Sequence, residues 1–475
     1  MTREDECDRW LDGHRAELVA ELVAWLRIPS ISADPGHAVD VRRSAVFLAD
    51  AAHRAGFPRS EVWETGGHPA VFAERIEDPA LPTILVYAHH DVQPVDPLDE
   101  WTSPPFEPTV VDGELRARGA VDDKQNVLMH LEAVRAHLAV AGRLPVNLRL
   151  LVEGEEESGS PHFEELIRSR RRELAADVAV ISDTGMLGPE APALTIGLRG
   201  LVYWEVRVAG PAHDLHSGLY GGTVANPILG LARLLADLHD ADGRVTVPGF
   251  YDAVSVPSAV EREAMAAIPF DEPTFLAAAG VPMAAGERGW STLERKTVRP
   301  TLDVCGTWGG YTGAGAKTII PARCGAKLSA RLVPDQDPDQ IAERVRDHLL
   351  ERAPAGLVTT VEVLSRGRWV SAPSDHPAVQ AAARAIQAVW GRPPSLVREG
   401  GSIPPVAAIA SDLGLACVLF GVGLPDDNFH APNERLRLEQ LHRGTRATVR
   451  LWDELARLGA PGLLRSGVTE SSAAN

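Results

Sequence analysis

Cysteine is scarce in this chain. Its four cysteines, Cys7, Cys305, Cys324 and Cys417, are far apart and include no CxxC pair. A disulfide framework needs a denser set of cysteines in a smaller domain, and a thiolate zinc site needs closely spaced pairs. Both are therefore excluded as the basis of the fold, and unpaired thiols in a reducing cytoplasm are expected.

Long apolar runs and excess positive charge are also lacking. No stretch approaches the roughly 18 uninterrupted apolar residues of a membrane span, and the first residues, MTREDECDRW, lack the apolar core of a signal peptide. The formal net charge is -18, so the surface repels phosphate, which argues against nucleic-acid and acidic-membrane partners. These features predict a soluble cytoplasmic protein.

What the chain does contain is enough length for more than one hydrophobic core. With 475 residues, two domains are expected, because single cores stop growing at about 250–300 residues. The pattern predicts a main α/β domain in two parts, residues 1–195 and 373–460. An inserted domain over residues 196–372 would separate the two parts, and a disordered tail would cover residues 461–475.

Strands alternate with helices in the main domain, which predicts a mostly parallel, buried sheet. Its predicted strands cover residues 84–88, 146–152, 178–181 and 416–420, and its predicted helices cover residues 8–27, 40–55, 126–141 and 438–458. The inserted segment has predicted strands at residues 201–208, 326–333 and 358–364, and helices at residues 227–238 and 338–352. It is predicted to form a smaller α/β layer domain of the βαββαβ type.

Acidic residues and histidines gather where the predicted strands end, as in HHD (89–91), EEE (155–157) and Asp183, and in two further loops that carry Asp122 and His430. The carboxyl ends of parallel strands converge at one edge of a sheet. Histidine and carboxylate ligands suit zinc, and one carboxylate can bridge two ions. A single acidic residue at a strand end is more often a solvated loop or a helix cap, and the glutamate run also fits a surface charge run. The coincidence of several such groups at one edge is what favours a metal site.

The same residues lie in strings that resemble the carnosinase-like zinc dipeptidases, in the superfamily that includes aminoacylases and succinyl-diaminopimelate desuccinylases. The resemblance covers nearly the whole chain in order. It rests on YAHHDVQP (87–94), WTSPPF (101–106), RGAVDDK (118–124), EGEEESGS (153–160), DLHSGLYGG (214–222), KTIIP (317–321), RLVP (331–334), EGGSIP (399–404) and HAPNE (430–434). It implies a mostly parallel-sheet zinc-peptidase catalytic domain with an inserted lid and dimerisation domain.

The resemblance implies two divalent metal ions per subunit, Zn2+ before Mn2+ or Co2+, since such sites accept all three. Asp122 would bridge the ions, with His89 and Asp183 completing one site and Glu157 and His430 the other.

Three further features follow from the same likeness. Asp91 would orient the imidazole of His89. Glu156 would be the general base: a hydroxide bridging the two ions would attack the scissile carbonyl, and Glu156 would pass the proton to the leaving amine. The family also has a non-proline cis peptide, which here would be the Asp122–Asp123 bond.

The inserted domain would carry residues that act on the partner subunit of a homodimer. His216 would reach the partner's active site in trans and stabilise the oxyanion, and Thr318 matches a second contact in trans.

Four positions match residues that hold the two ends of a dipeptide. Arg331 and Ser402 match those that bind the C-terminal carboxylate, and Glu399 and His376 match those near the free amino end. Judged from the residues alone, Arg331 could instead form a surface ion pair and Ser402 could cap a helix.

The resemblance therefore predicts hydrolysis of the peptide bond of dipeptides. The alternative on the same scaffold is an N-acyl-amino-acid deacylase or desuccinylase, whose substrates lack the free α-amine that Glu399 would pair with. An inactive binding relative is a third reading, which the filled ligand and base positions disfavour. Two departures from the family pattern are Gln125, where glycine is usual, and His90, which is bulkier than usual.

Overall fold

The computed structural model describes residues 2–463, except the side chains of residues 260 and 278. Within these residues the chain forms two compact units. The first comprises residues 2–196, 372–397 and 404–463, and the second comprises residues 197–371 and 398–403.

The α-helices of both units, in chain order, are α1 Arg3–Gly13, α2 Arg15–Leu26, α3 Ala38–Ala55, α4 Lys124–Ala141, α5 Phe163–Ser169, α6 Ser217–Tyr220, α7 Pro227–Ala236, α8 Ala259–Ala266, α9 Glu272–Ala278, α10 Thr292–Thr297, α11 Pro338–Glu351, α12 Pro377–Trp390, α13 Pro404–Ala408 and α14 Leu438–Leu463.

The β-strands, also in chain order, are β1 Arg59–Trp63, β2 Ala70–Arg75, β3 Thr83–His89, β4 Thr109–Val111, β5 Glu114–Arg116, β6 Asn147–Glu153, β7 Val178–Ile181, β8 Ala193–Leu198, β9 Gly200–Ala209, β10 Leu215–His216, β11 Thr301–Gly309, β12 Ile319–Ile320, β13 Arg323–Leu332, β14 Val358–Gly367, β15 Val370–Ser371, β16 Ser395–Glu399, β17 Cys417–Leu419 and β18 Arg435–Arg437.

The first unit is built on a sheet in the order β1-β2-β6-β3-β7-β17-β8. Its central strands β6, β3, β7 and β17 are mutually parallel, whereas β1, β2 and β8 pair antiparallel. The predicted mostly parallel α/β sheet is therefore confirmed. Because the four central strands run the same way, their carboxyl ends meet along one edge.

Helix α4 lies in the middle of the first unit. Thirteen of its eighteen residues are buried, so it shows little of the amphipathic stripe of a surface helix. It contacts α1, α2, α3, α14 and the sheet. Residues 124–134 of this helix are all buried, so they have few ways to shift and can hold the residues at the start of the helix in place.

The second unit has a four-stranded antiparallel sheet in the order β11-β13-β9-β14. One sheet face is apolar and packs with α7 and α11. On this face the indole of Trp204 is buried and donates to the carbonyl of Ala342 in α11, with 3.2 Å between nitrogen and oxygen. The chain order β9-α7-β11-β13-α11-β14 is the predicted βαββαβ arrangement.

Several elements differ from the sequence predictions. The helix predicted over residues 8–27 is two helices, α1 and α2, separated at His14, where ψ is 13° and the ring stacks on Trp10. Gly13 weakens the helix at this point. The section 247–316, in which no period was found, contains α8, α9, α10 and β11, and α12 was not predicted.

Two segment boundaries also differ. Residues 398–403, predicted as part of the main domain, belong to the second unit, where the backbone nitrogen of Arg199 donates to the carbonyl of Gly401 (3.1 Å). Residues 461–463 of the predicted disordered tail lie in α14. The rest of that predicted tail, 464–475, lies outside the described residues.

The four cysteines are unpaired, as predicted. None of the helices within residues 2–463 has the length and apolar character needed to cross a membrane.

Candidate metal centre

Four of the five candidate ligand segments follow the parallel central strands. His89 is the last residue of β3, Glu157 lies in a short turn after β6, Asp183 comes two residues after β7, and His430 lies in the loop after β17. The fifth candidate, Asp122, lies two residues before the buried start of α4. The parallel sheet therefore brings together residues that are up to 341 positions apart.

These five side chains form two groups that share Asp122. The first is His89, Asp122 and Asp183, and the second is Asp122, Glu157 and His430; in each group one ligand atom per residue lies within 4.8 Å of the others. Oδ1 of Asp122 is 3.0 Å from Nε2 of His89, and Oδ2 of Asp122 is 2.9 Å from Nε2 of His430. Each oxygen of one carboxylate thus faces a different histidine, which is the arrangement a bridging ligand needs.

The charge balance of this cluster fits divalent cations. Burial raises the pKa of Glu156 well above its usual range, and the charges of Glu157 and Asp122 raise it further. Burial and the charge of Asp122 also raise the pKa of Asp183 and of Glu157. Carboxylates held this close without a cation repel one another. Two nitrogen and three carboxylate donors are a set that zinc accepts.

Asp91 supports two ligands at once. Its carbonyl oxygen is 3.1 Å and its carboxylate oxygen 3.4 Å from Nδ1 of His89, while its other carboxylate oxygen accepts from the backbone nitrogen of Glu157 at 3.0 Å. Fixing Nδ1 leaves Nε2 of His89 facing the centre.

Glu434 is a positioning residue that sequence reasoning missed. Its fully buried carboxylate accepts from the backbone nitrogens of Gly119 (3.0 Å), Val121 (2.9 Å) and Asp122 (3.2 Å), and pairs with Arg118 at 2.8 Å. It therefore holds the turn that presents the bridging carboxylate. The only available signal was its place at the end of the HAPNE string.

Two more residues missed by the sequence analysis contact ligands directly. Asp123 accepts from the backbone nitrogen of His89 at 3.1 Å, and Nε2 of Gln93 donates to a carboxylate oxygen of Glu157 at 2.7 Å. The peptide bond between Asp122 and Asp123 is cis, as the resemblance implied.

The two departures from the family pattern are not part of the ligand groups. His90 is buried, and its Nε2 is 2.9 Å from the carbonyl oxygen of Pro69. Gln125 is buried at the start of α4 and donates to Oδ1 of Asn126.

His216 and Thr318 lie in the second unit, where a short strand pair brings them together. β10 pairs with β12 so that His216 opposes Ile319, the residue after Thr318, and the backbone nitrogen of Ser217 donates to the carbonyl of Thr318 at 3.0 Å. Nδ1 of His216 accepts from the backbone nitrogen of Gly218 at 3.0 Å. A tautomer in which Nδ1 accepts this bond carries its proton on Nε2, which can then donate to another group.

Arg331 and Ser402 also meet in the second unit. Nη1 of Arg331 donates to Oγ of Ser402 at 2.8 Å, and that hydroxyl donates to the carbonyl of Arg199. Burial lowers the pKa of Arg331, while Cys305 and Asp303 raise it by charge alone. No ion pair joins Arg331 to a carboxylate within residues 2–463, which disfavours the surface ion pair.

The two residues predicted to lie near the amino end of the substrate, His376 and Glu399, belong to different units. His376 caps α12 in the first unit, with Nδ1 accepting from the backbone nitrogen of Ala378 at 3.2 Å. Glu399 is the last residue of β16 and is half-buried in the second unit.

Comparison with known proteins gives consistent matches. The profile described as peptidase family M20/M25/M40 matches residues 85–454. The chain is 34% identical to the Cys-Gly metallodipeptidase of Candida albicans, over 90% of this chain and 93% of the relative. It is 32% identical to the human Beta-Ala-His dipeptidase, over 95% and 92%. A solved metallo-carboxypeptidase from Sulfolobus solfataricus superposes with a TM-score of 0.85 at 33% identity, covering 93% of this chain and 100% of that one.

Proposed function

The chain belongs to peptidase family M20/M25/M40, and from this premise we propose that it hydrolyses dipeptides at a site holding two metal ions. Family membership confirms the resemblance drawn from the sequence motifs. Two relatives that match nearly end to end are named as dipeptidases. Zinc is the metal we propose, because of the donor set. The proposed compartment is the cytoplasm, which suits four unpaired thiols.

The observation that carries this proposal is the position of Asp122. One carboxylate sends one oxygen to His89 and the other to His430, at 3.0 and 2.9 Å. In a site for one metal ion, a second histidine that faces the other oxygen of the same carboxylate would have no ligand role. Asp183 would complete the first site and Glu157 the second.

Ions bound there would act as Lewis acids on the scissile carbonyl and lower the pKa of water. We assign to Glu156 the role of accepting the proton of the attacking water, because its neighbour Glu157 belongs to the ligand group. The burial that raises its pKa also lets it keep that proton until the leaving amine needs it. Asp91 and Glu434 hold the ligands in place during this exchange.

Substrate length would be set by groups that bind the two charged termini. Arg331 contacts Ser402 and has no carboxylate partner among residues 2–463, which suits an incoming C-terminal carboxylate. Glu399 and His376 are proposed for the amino end. A site that satisfies both termini excludes longer chains and acylated amino acids.

A homodimer with His216 acting in trans is part of the proposal. Large apolar side chains are exposed in the second unit near His216 and Thr318 in sequence, among them Leu219 (74%), Leu229 (59%) and Tyr311 (43%). Apolar groups of this kind, where they form one continuous patch, are typical of a surface that a partner covers. With Nδ1 of His216 accepting from Gly218, its Nε2 is available as the oxyanion donor that we propose.

The experiment that tests the proposed function is a substrate panel with matched blocked forms. Purified protein loaded with Zn2+ is assayed on Ala-Gly and Cys-Gly dipeptides, on their N-acetyl forms and on Ala-Gly-Gly. We expect turnover of the free dipeptides alone, and loss of that turnover in a chelator with recovery on adding metal. Turnover of only the N-acetyl forms would establish the deacylase instead.

Arg331→Ala is expected to raise KM for dipeptides by about 10- to 100-fold, because a charge-assisted hydrogen bond to the substrate contributes about 1.5–3 kcal/mol. The reason is specific to the carboxylate, so the same substitution should leave the turnover of a dipeptide C-terminal amide nearly unchanged. Arg207→Ala, at an exposed position of β9 in the same sheet, is the control. Equal losses on acid and amide would contradict the assignment.

A further inference from the structure

His130 is a buried histidine that the proposed reaction does not use. It lies in α4 with 1% of its surface exposed, and its Nε2 is 2.7 Å from Oγ of the fully buried Ser182. Ser182 immediately precedes the ligand Asp183. This side-chain hydrogen bond connects α4 to Ser182, the residue directly after β7.

The backbone at Asp183 is enclosed from another side by Gly421, two residues after β17. The backbone nitrogen of Thr184 donates to the carbonyl of Ser182 at 2.8 Å, which makes a tight turn around Asp183. A Cβ at Gly421 would lie 2.2 Å from the carbonyl oxygen of Ser182 and 2.0 Å from that of Thr184. The turn is therefore packed against Gly421 on one side and anchored through Ser182 to His130.

Helix α4 connects this anchor to the bridging ligand. It starts two residues after Asp122 and contains His130 eight residues after it, in a stretch, residues 124–134, that is buried throughout. One rigid helix thus sets the position of Asp122 and, through the hydrogen bond to Ser182, of Asp183. Both are ligands of the same proposed site.

We propose that His130 is a positioning residue that holds Asp183 at the correct distance from Asp122, and so sets the metal affinity of the His89–Asp122–Asp183 site. This inference rests on the proposed dinuclear site. Partners that orient metal ligands through a hydrogen bond contribute about 10- to 100-fold to metal affinity.

The structure supplies a matched control in His137, seven residues further along α4. The rings of His130 and His137 lie 6.1 and 5.9 Å from the ring of Trp452, at similar interplanar angles. Both are buried, and burial lowers the pKa of both, to about 3 and about 4. Only His130 contacts Ser182, since Nε2 of His137 is directed to the carbonyl oxygen of Val449.

The test is a competition titration of metal-free protein with Zn2+ against a chromophoric chelator. We expect the wild type and His137→Leu to bind two ions, and His130→Leu to bind one of the two about 10- to 100-fold more weakly. His130→Gln, which keeps a neutral hydrogen-bonding group, should recover part of the loss. Ser182→Ala should weaken zinc binding as His130→Leu does, and adding His130→Leu to Ser182→Ala should have little further effect on the affinity.

Single-site backgrounds identify which ion is affected. In Glu157→Gln, where the remaining ion occupies the His89–Asp122–Asp183 site, His130→Leu should weaken binding. In the Asp183→Asn background, His130→Leu should not weaken binding of the remaining ion. If the wild type bound fewer than two ions, the proposed function would fail. Equal affinities for His130→Leu and His137→Leu in a wild type that binds two ions would overturn the inference alone.

Discussion

Glu156→Gln is expected to leave both metal ions bound while lowering kcat on dipeptides by about 10²- to 10⁴-fold, the range over which general acid–base catalysis contributes. Glutamine has nearly the same size and stays uncharged, so it can neither accept the proton of the attacking water nor return it to the leaving amine. KM should change little, because Glu156 is not proposed to hold either end of the substrate. Metal content by elemental analysis and initial rates on one dipeptide are the measurements.

The adjacent glutamate is the matched control for this prediction. Glu157→Gln should lose one metal ion, since its Oε2 is 3.2 Å from Nε2 of His430 and both belong to the same ligand group. The two neighbouring substitutions should therefore have different effects. Glu156→Gln should lower turnover with two ions bound, whereas Glu157→Gln should remove an ion. If Glu156→Gln lost metal and Glu157→Gln kept it, the two roles would be reversed.

His216→Ala is expected to lower kcat by about 10²- to 10³-fold, the loss seen when one oxyanion donor is removed. Metal content should be unchanged, because His216 belongs to the second unit and to neither ligand group. The variant His216→Gln keeps an N–H donor and should recover part of the rate. Stopped assays with both variants beside the wild type are sufficient to measure this.

Mixed dimers separate action in trans from action in cis. When inactive His216→Ala and Glu156→Gln subunits are unfolded together and refolded, a mixed dimer would contain one site with neither defect and one site with both. Statistical pairing makes half of the dimers mixed, so about a quarter of the wild-type activity should return. No recovery, with mixed dimers demonstrated by a tag on each subunit, would contradict the assignment in trans.

Much of the candidate site could be predicted because its residues lie at recognisable places in the chain. Short apolar runs located β3, β6 and β7, and His89, Glu157 and Asp183 lie at or just after the ends of these strands. Residue type then limited the chemistry to histidine and carboxylate ligands. The motif strings separated Glu156 from Glu157, which periodicity treats alike. Chain order also predicted the βαββαβ arrangement of the second unit.

Other features depend on contacts between residues distant in sequence. The sequence contains Glu434, but only the fold shows its carboxylate accepting from three backbone nitrogens of the turn at Asp122. The pairing of β10 with β12, which places His216 beside Thr318, joins two strands of two residues each. Strands that short leave no periodic pattern to detect.

The sequence by itself determined which groups can bind metal, which edge of the sheet they share and which family the chain resembles. Only the tertiary structure decided that Asp122 faces two histidines with its two oxygens, that Arg331 contacts Ser402, and that His130 anchors Ser182. Local patterns report burial and backbone conformation along the chain. The direction of a buried polar side chain is set instead by the hydrogen-bond partners that packing brings to it from elsewhere.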